Sequence, residues 1–136
     1  MNPAFGDTFY WVALIHRKDE AHQAMLDFSR GFKSLLITTD EVLTEVLAFC
    51  SAEEALRKEA GKAVRRILSA ASVRVIPQSR QGFLDGLDLY EARPDKGYSL
   101  ADCISMQIMR REGLMDVLTN DRHFEQEGFR AIFRSR

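Results

Sequence analysis

Ser99-Leu100-Ala101-Asp102-Cys103-Ile104-Ser105-Met106-Gln107-Ile108-Met109 and, shortly after it, Val117-Leu118-Thr119-Asn120-Asp121-Arg122-His123-Phe124 decide the reading of this chain. The first stretch has an N-cap candidate in Ser99 and is apolar on most of its helical circumference, so it reads as a largely buried helix. The second is a short apolar run that closes on polar residues before another turn or helix, which is how a strand ends. A buried helix feeding directly into a strand is the half-unit of an α/β fold.

Working outward, the apolar runs Ala4-Phe5, Leu35-Leu36-Ile37, Val73-Arg74-Val75-Ile76 and Ala131-Ile132-Phe133 also read as strands. Helical segments fill the gaps. Ala21, Ala24, Met25 and Phe28 follow helical spacing, Thr38-x-x-Glu41 and Ser51-x-x-Glu54 match the capping box, and Ser79 is a further N-cap candidate. Strands separated by connections of helix length pair in parallel through crossovers, so the expected fold is three-layer α/β/α with a parallel sheet covered on both faces. Ligands of such sheets bind outside the carboxyl ends of the strands, where Asp7 and Asp121 fall.

With 136 residues, 46% of them hydrophobic, there is enough chain for one sizeable core, and residues 1–136 are expected to form a single domain. The only Pro/Gly-rich stretch, Arg93-Pro94-Asp95-Lys96-Gly97, has the length of an ordinary loop. Nineteen basic against twenty acidic residues give a formal charge of −1, which excludes a global positive field and makes any nucleic-acid contact local. Cys50 and Cys103 share no CxxC spacing and sit in apolar helical stretches, so they read as packed thiols. The first residues lack a basic, apolar leader and no run of about 18 apolar residues occurs, so the expectation is a cytoplasmic protein without membrane attachment.

Four carboxylates carry the chemistry of this reading. Asp7 stands at the entrance of the mainly apolar Thr8-Phe9-Tyr10-Trp11-Val12-Ala13-Leu14. Glu45 lies beside the stripe of Val42, Val46 and Phe49 rather than opposite it. Asp102 enters the most apolar helix, and Asp121 closes a strand. Each has an ordinary alternative: an N-cap for Asp7, a boundary position with its stem over apolar surface for Glu45, a capping pair with Ser99 for Asp102, an Asx-turn or cap for Asp121. As a set around one strand-end edge they would repel one another unless a cation compensated. Oxygen-only ligation favours Mg²⁺ or Mn²⁺ over zinc, and such a cation suits phosphodiester chemistry by acidifying water and stabilising the leaving oxygen.

These residues resemble the PIN-domain family, and within it the VapC-type toxin ribonucleases. The resemblance rests on Asp7-Thr8 before Trp11-Val12-Ala13-Leu14, on Glu45 in Leu43-Thr44-Glu45-Val46-Leu47, on Ser99-Leu100-x-Asp102, and on Thr119-x-Asp121-x-x-Phe124, spanning nearly the whole chain. It implies a parallel sheet of about five strands, Mg²⁺- or Mn²⁺-dependent endoribonuclease activity on RNA, homodimerisation, and inhibition by a small antitoxin. It also implies that Asp7, Glu45, Asp102 and Asp121 are catalytic metal-holding acids, with Asp7 and Asp102 the foremost ligands, and that Thr8, Ser99 and Asn120 support them. Two departures stand out: Gly6 where the family carries an apolar or small strand residue, and Asn120, an amide that cannot supply a carboxylate's charge.

Other groups read more plainly. His16, His22 and His123 share no metal-ligand spacing. Arg57, Lys58, Lys62, Arg65 and Arg66 are interleaved with Glu53, Glu54 and Glu59, as on a salt-laced solvated face, although the same residues are of the type that meets an RNA backbone. Phe9, Tyr10 and Trp11 point in different directions on a helix and read as core, while Arg93 and Lys96 precede Ser99 closely enough to meet a phosphate. Two competing functions remain: a catalytically silent PIN-like module binding RNA or protein, and a phospho-acceptor receiver domain, against which the missing strand-terminal lysine after Asp121 counts.

Overall fold

The computed structural model describes residues 1–134. In chain order the elements are β1 (Ala4–Gly6), α1 (Thr8–Ile15), α2 (His22–Gly31), β2 (Leu36–Thr39), α3 (Asp40–Phe49), α4 (Glu54–Ser69), β3 (Val73–Ile76), α5 (Arg80–Ala92), α6 (Leu100–Glu112), β4 (Asp116–Leu118), α7 (Arg122–Gln126) and β5 (Arg130–Ala131). The five strands form one sheet in the order β3-β2-β1-β4-β5, parallel throughout, and the expected α/β/α architecture is observed.

The order follows from burial. Ala4-Phe5-Gly6 and Val117-Leu118 are buried throughout, as the two middle strands of a sheet covered on both faces must be. In β3 the valines are half-buried and Arg74 is exposed, which fits a sheet edge. The chain enters at the centre, winds outward through β2 and β3, and returns to the other side of β1 as β4. The reversal point therefore lies between β1 and β4, whose last residues, Gly6 and Leu118, are in register. Whatever follows these two residues is delivered to the same edge.

Gly6 has a clear reason to be glycine. The Trp11 indole lies across it, and a Cβ there would sit 2.8 Å from the ring. The indole Nε1 donates to the Gly6 carbonyl at 3.1 Å, and the Thr38 hydroxyl donates to the same oxygen at 2.8 Å. This close approach stitches α1 and β2 to the end of β1 and sets the direction in which the chain leaves it.

Three local expectations shift. Thr38 does not cap α3: its hydroxyl is taken by Gly6, and Thr39 caps instead, accepting from the Val42 amide at 3.1 Å. Ser51 does not cap α4 either, because its hydroxyl donates back to the Ala48 carbonyl at the end of α3, and Glu53 holds the cap position without a side-chain bond. The last strand is Arg130–Ala131, and the chain turns at Ile132, where the sequence suggests extension to Phe133. Ser79 and Ser99 cap α5 and α6 as expected. Tyr10 and Trp11 are core, and Cys50 and Cys103 are buried thiols pushed up by desolvation. No helix among the described residues is long and apolar enough to cross a membrane.

Candidate active site

The residue after β1 is Asp7. It occupies the N-cap position of α1 with extended backbone, yet its side chain makes no cap hydrogen bond, so the helix does not consume the carboxylate. It is only 8% exposed. Burial pushes its carboxyl up to about 7, the Thr119 hydroxyl and the Thr8 amide lower it in part, and the charges of Asp102 and Glu45 raise it further.

Glu45 comes to this group from α3. It is half-buried beside Val42 and Val46, and the Thr8 hydroxyl donates to its Oε1 at 2.8 Å. Thr8 thus holds the glutamate with a neutral donor that leaves the negative charge intact. The boundary placement read from the helical angle is the one observed.

Asp102 and Asp121 serve the fold and the site together. Asp102 completes a capping box: the Ser99 hydroxyl accepts from its amide at 3.0 Å and its Oδ2 accepts from the Ser99 amide at 3.2 Å. Its carboxyl is raised, by burial first and by Asp121, against the lowering effect of Ser99 and His123. Asp121 caps α7, accepting from the His123 amide at 2.9 Å, and its own amide donates to the Thr119 hydroxyl at 3.2 Å. The ordinary capping roles of both acids are real, and each keeps carboxylate oxygen beyond what the cap uses.

The four acids therefore form a continuous run, Glu45 to Asp7 to Asp102 to Asp121, each feeling its neighbour's charge. Among the described residues the one basic group paired with any of them is His123, whose Nδ1 lies 3.5 Å from Asp121 Oδ1 and 3.7 Å from Asp102 Oδ2. Asp102, Asp121 and His123 each offer a ligand atom within 4.8 Å of the other two. One buried and three half-buried carboxylates that repel one another, with no lysine or arginine paired to them among the described residues, suit a divalent cation that hard oxygen donors would bind.

Sequence reasoning missed two residues. Thr119 is fully buried and meets both Asp7 and Asp121, whereas Asn120, expected to support the site, is exposed. His123 shares no metal-ligand spacing with the other histidines, yet its place two residues after Asp121 is a signal once Asp121 is read as an N-cap. The loop cations go elsewhere: Arg93 clamps Glu127 through Nε–Oε1 at 2.9 Å and Nη2–Oε2 at 3.1 Å, and Lys96 pairs with Asp95 at 3.7 Å. On α4, Lys58 pairs with Glu54 at 3.1 Å, while Arg57 donates to the Ser51 carbonyl rather than reaching Glu53.

Residues 4–129 match the family model of the PIN domain. The chain belongs to the PIN-domain family. The fold is similar to that of VapC20 from Mycobacterium tuberculosis, a sarcin-ricin loop cleaving toxin, with a TM-score of 0.86 and 21% identity over 96% of this chain and 98% of that one. It is also similar to a chain of VapBC2 from Rickettsia felis, solved bound to a DNA fragment from the promoter, with a TM-score of 0.64 and 16% identity over 92% of each chain. No curated protein matches the sequence. Within this PIN domain, the acids stand at the reversal point of the sheet, where the fold presents ligands.

Proposed function

We propose that this PIN domain is a Mg²⁺- or Mn²⁺-dependent endoribonuclease of the VapC kind, the toxin of a toxin–antitoxin pair acting in the cytoplasm. The observation that carries the reading is the meeting of buried Asp7 with half-buried Glu45, Asp102 and Asp121 at one strand-end edge, with Asp7 raised to about 7. Stability alone gives little reason to gather such a set of like charges around a buried carboxylate.

Asp7, Glu45, Asp102 and Asp121 would hold the cation, with Asp7 and Asp102 foremost. When bound, the cation supplies Lewis acidity toward the phosphoryl group and makes water a competent nucleophile near neutral pH. The chain's own contribution is positional. Thr8 orients Glu45, the Ser99 amide fixes one oxygen of Asp102, and Thr119 supports Asp7 and the Asp121 backbone from below. Burial of Asp7 keeps bulk water from screening the charges that meet the phosphate. With a net charge of −1, the chain binds RNA through local contacts at this edge.

The test is Mn²⁺-dependent cleavage of a panel of structured RNAs, including a sarcin-ricin loop hairpin, by wild type and Asp102→Asn purified identically, with a chelator control. Cleavage that vanishes in the variant and with chelator supports the nuclease. Equal cleavage by both proteins, or none by either, favours a catalytically silent module. The capping duties of Asp102 and Asp121 are the one observation on that side, because they give both acids a structural reason to be present.

A small antitoxin encoded with the chain belongs to the same reading, supported by likeness to VapBC2, and a homodimeric state is proposed with it. Size-exclusion chromatography with light scattering, on the chain alone and co-expressed with the adjacent reading frame's product, tests both.

A further inference from the structure

His123 is the second residue of α7 after its cap, and three contacts fix where its ring sits. Its amide is bound by Asp121 Oδ1, its ring lies against that of Tyr98 with centroids 5.4 Å apart, and Nε2 is the atom that faces the Gly97 turn. Tyr98 is anchored in turn, its hydroxyl donating to Glu127 at 3.1 Å, and Glu127 is clamped by Arg93 and Arg110. The remaining ring nitrogen, Nδ1, is directed at Asp121 and Asp102, at 3.5 and 3.7 Å.

Those distances are too long for hydrogen bonds, and Nδ1 is a buried atom with no hydrogen-bond partner. A direct imidazolium–carboxylate pair would close to about 2.7–2.9 Å. Ligands around a shared Mn²⁺-sized or smaller cation, each about 2.0–2.2 Å from it, stand roughly 3.0–3.5 Å apart. The separations of Nδ1 from the two carboxylates are close to that spacing, and an orphaned buried nitrogen aimed at two acids is a donor set lacking its acceptor.

We infer that His123 Nδ1 is a nitrogen ligand to the cation held by Asp102 and Asp121, and that it sets the metal preference of the site toward transition cations over Mg²⁺. The inference rests on the proposed divalent-cation site and adds to its oxygen donors a borderline-soft one. Imidazole adds little for Mg²⁺, more for Mn²⁺ and more again for Co²⁺ along the usual affinity order. Neutral imidazole brings no charge, so the acids remain the source of overall affinity.

The experiment is electron spin-echo spectroscopy of the Mn²⁺-loaded chain, which detects ¹⁴N bound to the metal, together with calorimetric binding of Mg²⁺, Mn²⁺ and Co²⁺. Wild type shows directly coordinated ¹⁴N. His123→Ala loses that signal while still binding Mn²⁺, about tenfold more weakly, with Mg²⁺ affinity nearly unchanged and Co²⁺ affinity reduced most. His16 and His22 remain in this variant, and the Nδ1 of His22 is already engaged with the Ala13 carbonyl at 2.7 Å, so a lost signal belongs to His123. His123→Gln, which keeps bulk and polarity, controls for folding of α7 and also loses the signal. Mn²⁺ bound without ¹⁴N coupling, or equal weakening of all three cations in His123→Ala, overturns the inference and leaves the acidic site standing. Absence of Mn²⁺ binding to wild type overturns the cation site itself and the inference with it.

Discussion

Replacing Asp7 with asparagine should stabilise the metal-free protein while removing its activity. In the folded chain the Asp7 carboxyl is raised from 3.8 to about 7, chiefly by burial. A carboxyl whose folded value is raised costs stability as pH rises from its unfolded value toward its folded one, and the cost is constant above that. A rise of about three units, at 1.36 kcal/mol per unit, sets a ceiling of about 4 kcal/mol. Asparagine removes this cost but brings two N–H donors into the pocket, an expense of about 1–2 kcal/mol. The net expectation is a gain of about 2 kcal/mol at pH 8, shrinking to nothing or reversing near pH 4, where Asp7 is already neutral in the fold. Urea unfolding in chelator, followed by the fluorescence of the single, buried Trp11, reads this as a midpoint higher by about 1 M at pH 8. Adding Mn²⁺ should then raise the wild-type midpoint by more than that of the variant, which keeps Asp102, Asp121 and His123 but lacks one acid of the set. An Asp7→Asn midpoint at or below wild type in chelator at pH 8 would refute the account of Asp7 as a buried, unfavourable charge.

Glu127, whose side chain is 4% exposed, shows the opposite shift: burial alone would raise it, but the hydrogen bonds of Arg93, Arg110 and Tyr98 outweigh burial and hold it at about 2. Its contribution is complete above about 4.5 and is lost as pH falls toward 2. Glu127→Gln should therefore cost about 2 kcal/mol at pH 7, discounted because both arginines are partly exposed, and show a flatter acid limb in pH-dependent unfolding. Gly86→Ala should cost about 2–3 kcal/mol by thermal denaturation, because a Cβ there overlaps Ile104 Cγ1 where α5 and α6 touch. Thr8→Val should leave stability within about 1 kcal/mol and lower the cleavage rate about tenfold by freeing Glu45; an unchanged rate would show that Glu45 needs no positioning.

The four acids were legible because each breaks a local rule: a charge at the mouth of an apolar segment, beside an apolar stripe, inside a buried helix, or at a strand end. The fold was legible through strand and helix periods, and burial in β1 and β4 follows them. What stayed hidden depended on tertiary competition for a single atom. Thr38 and Thr39 are equal cap candidates until Gly6 claims one hydroxyl, and Ser51 is ambiguous until the end of α3 takes its proton. Arg93, close before Ser99, reads as a phosphate contact until Glu127, thirty-odd residues later, proves to hold two of its three guanidinium nitrogens. His123 escaped for the same reason. Spacing arguments compare residues along the chain, whereas its nearest partners include Asp102, reached only when α6 and α7 meet at the sheet edge.

Of the five described strands the one at the centre of the sheet is made first, and the neighbour that completes its acidic edge is the fourth. β1 pairs with β4, and Asp7 meets Asp102 and Thr119 only when that pairing is made. A nascent chain stopped anywhere before β4 lacks Asp121 and the strand that aligns it, whatever else has folded. Contacts between such distant parts of a sequence are slow to form. The acidic edge is thus incomplete for almost the whole of the chain's own synthesis, a delay that comes from strand order alone.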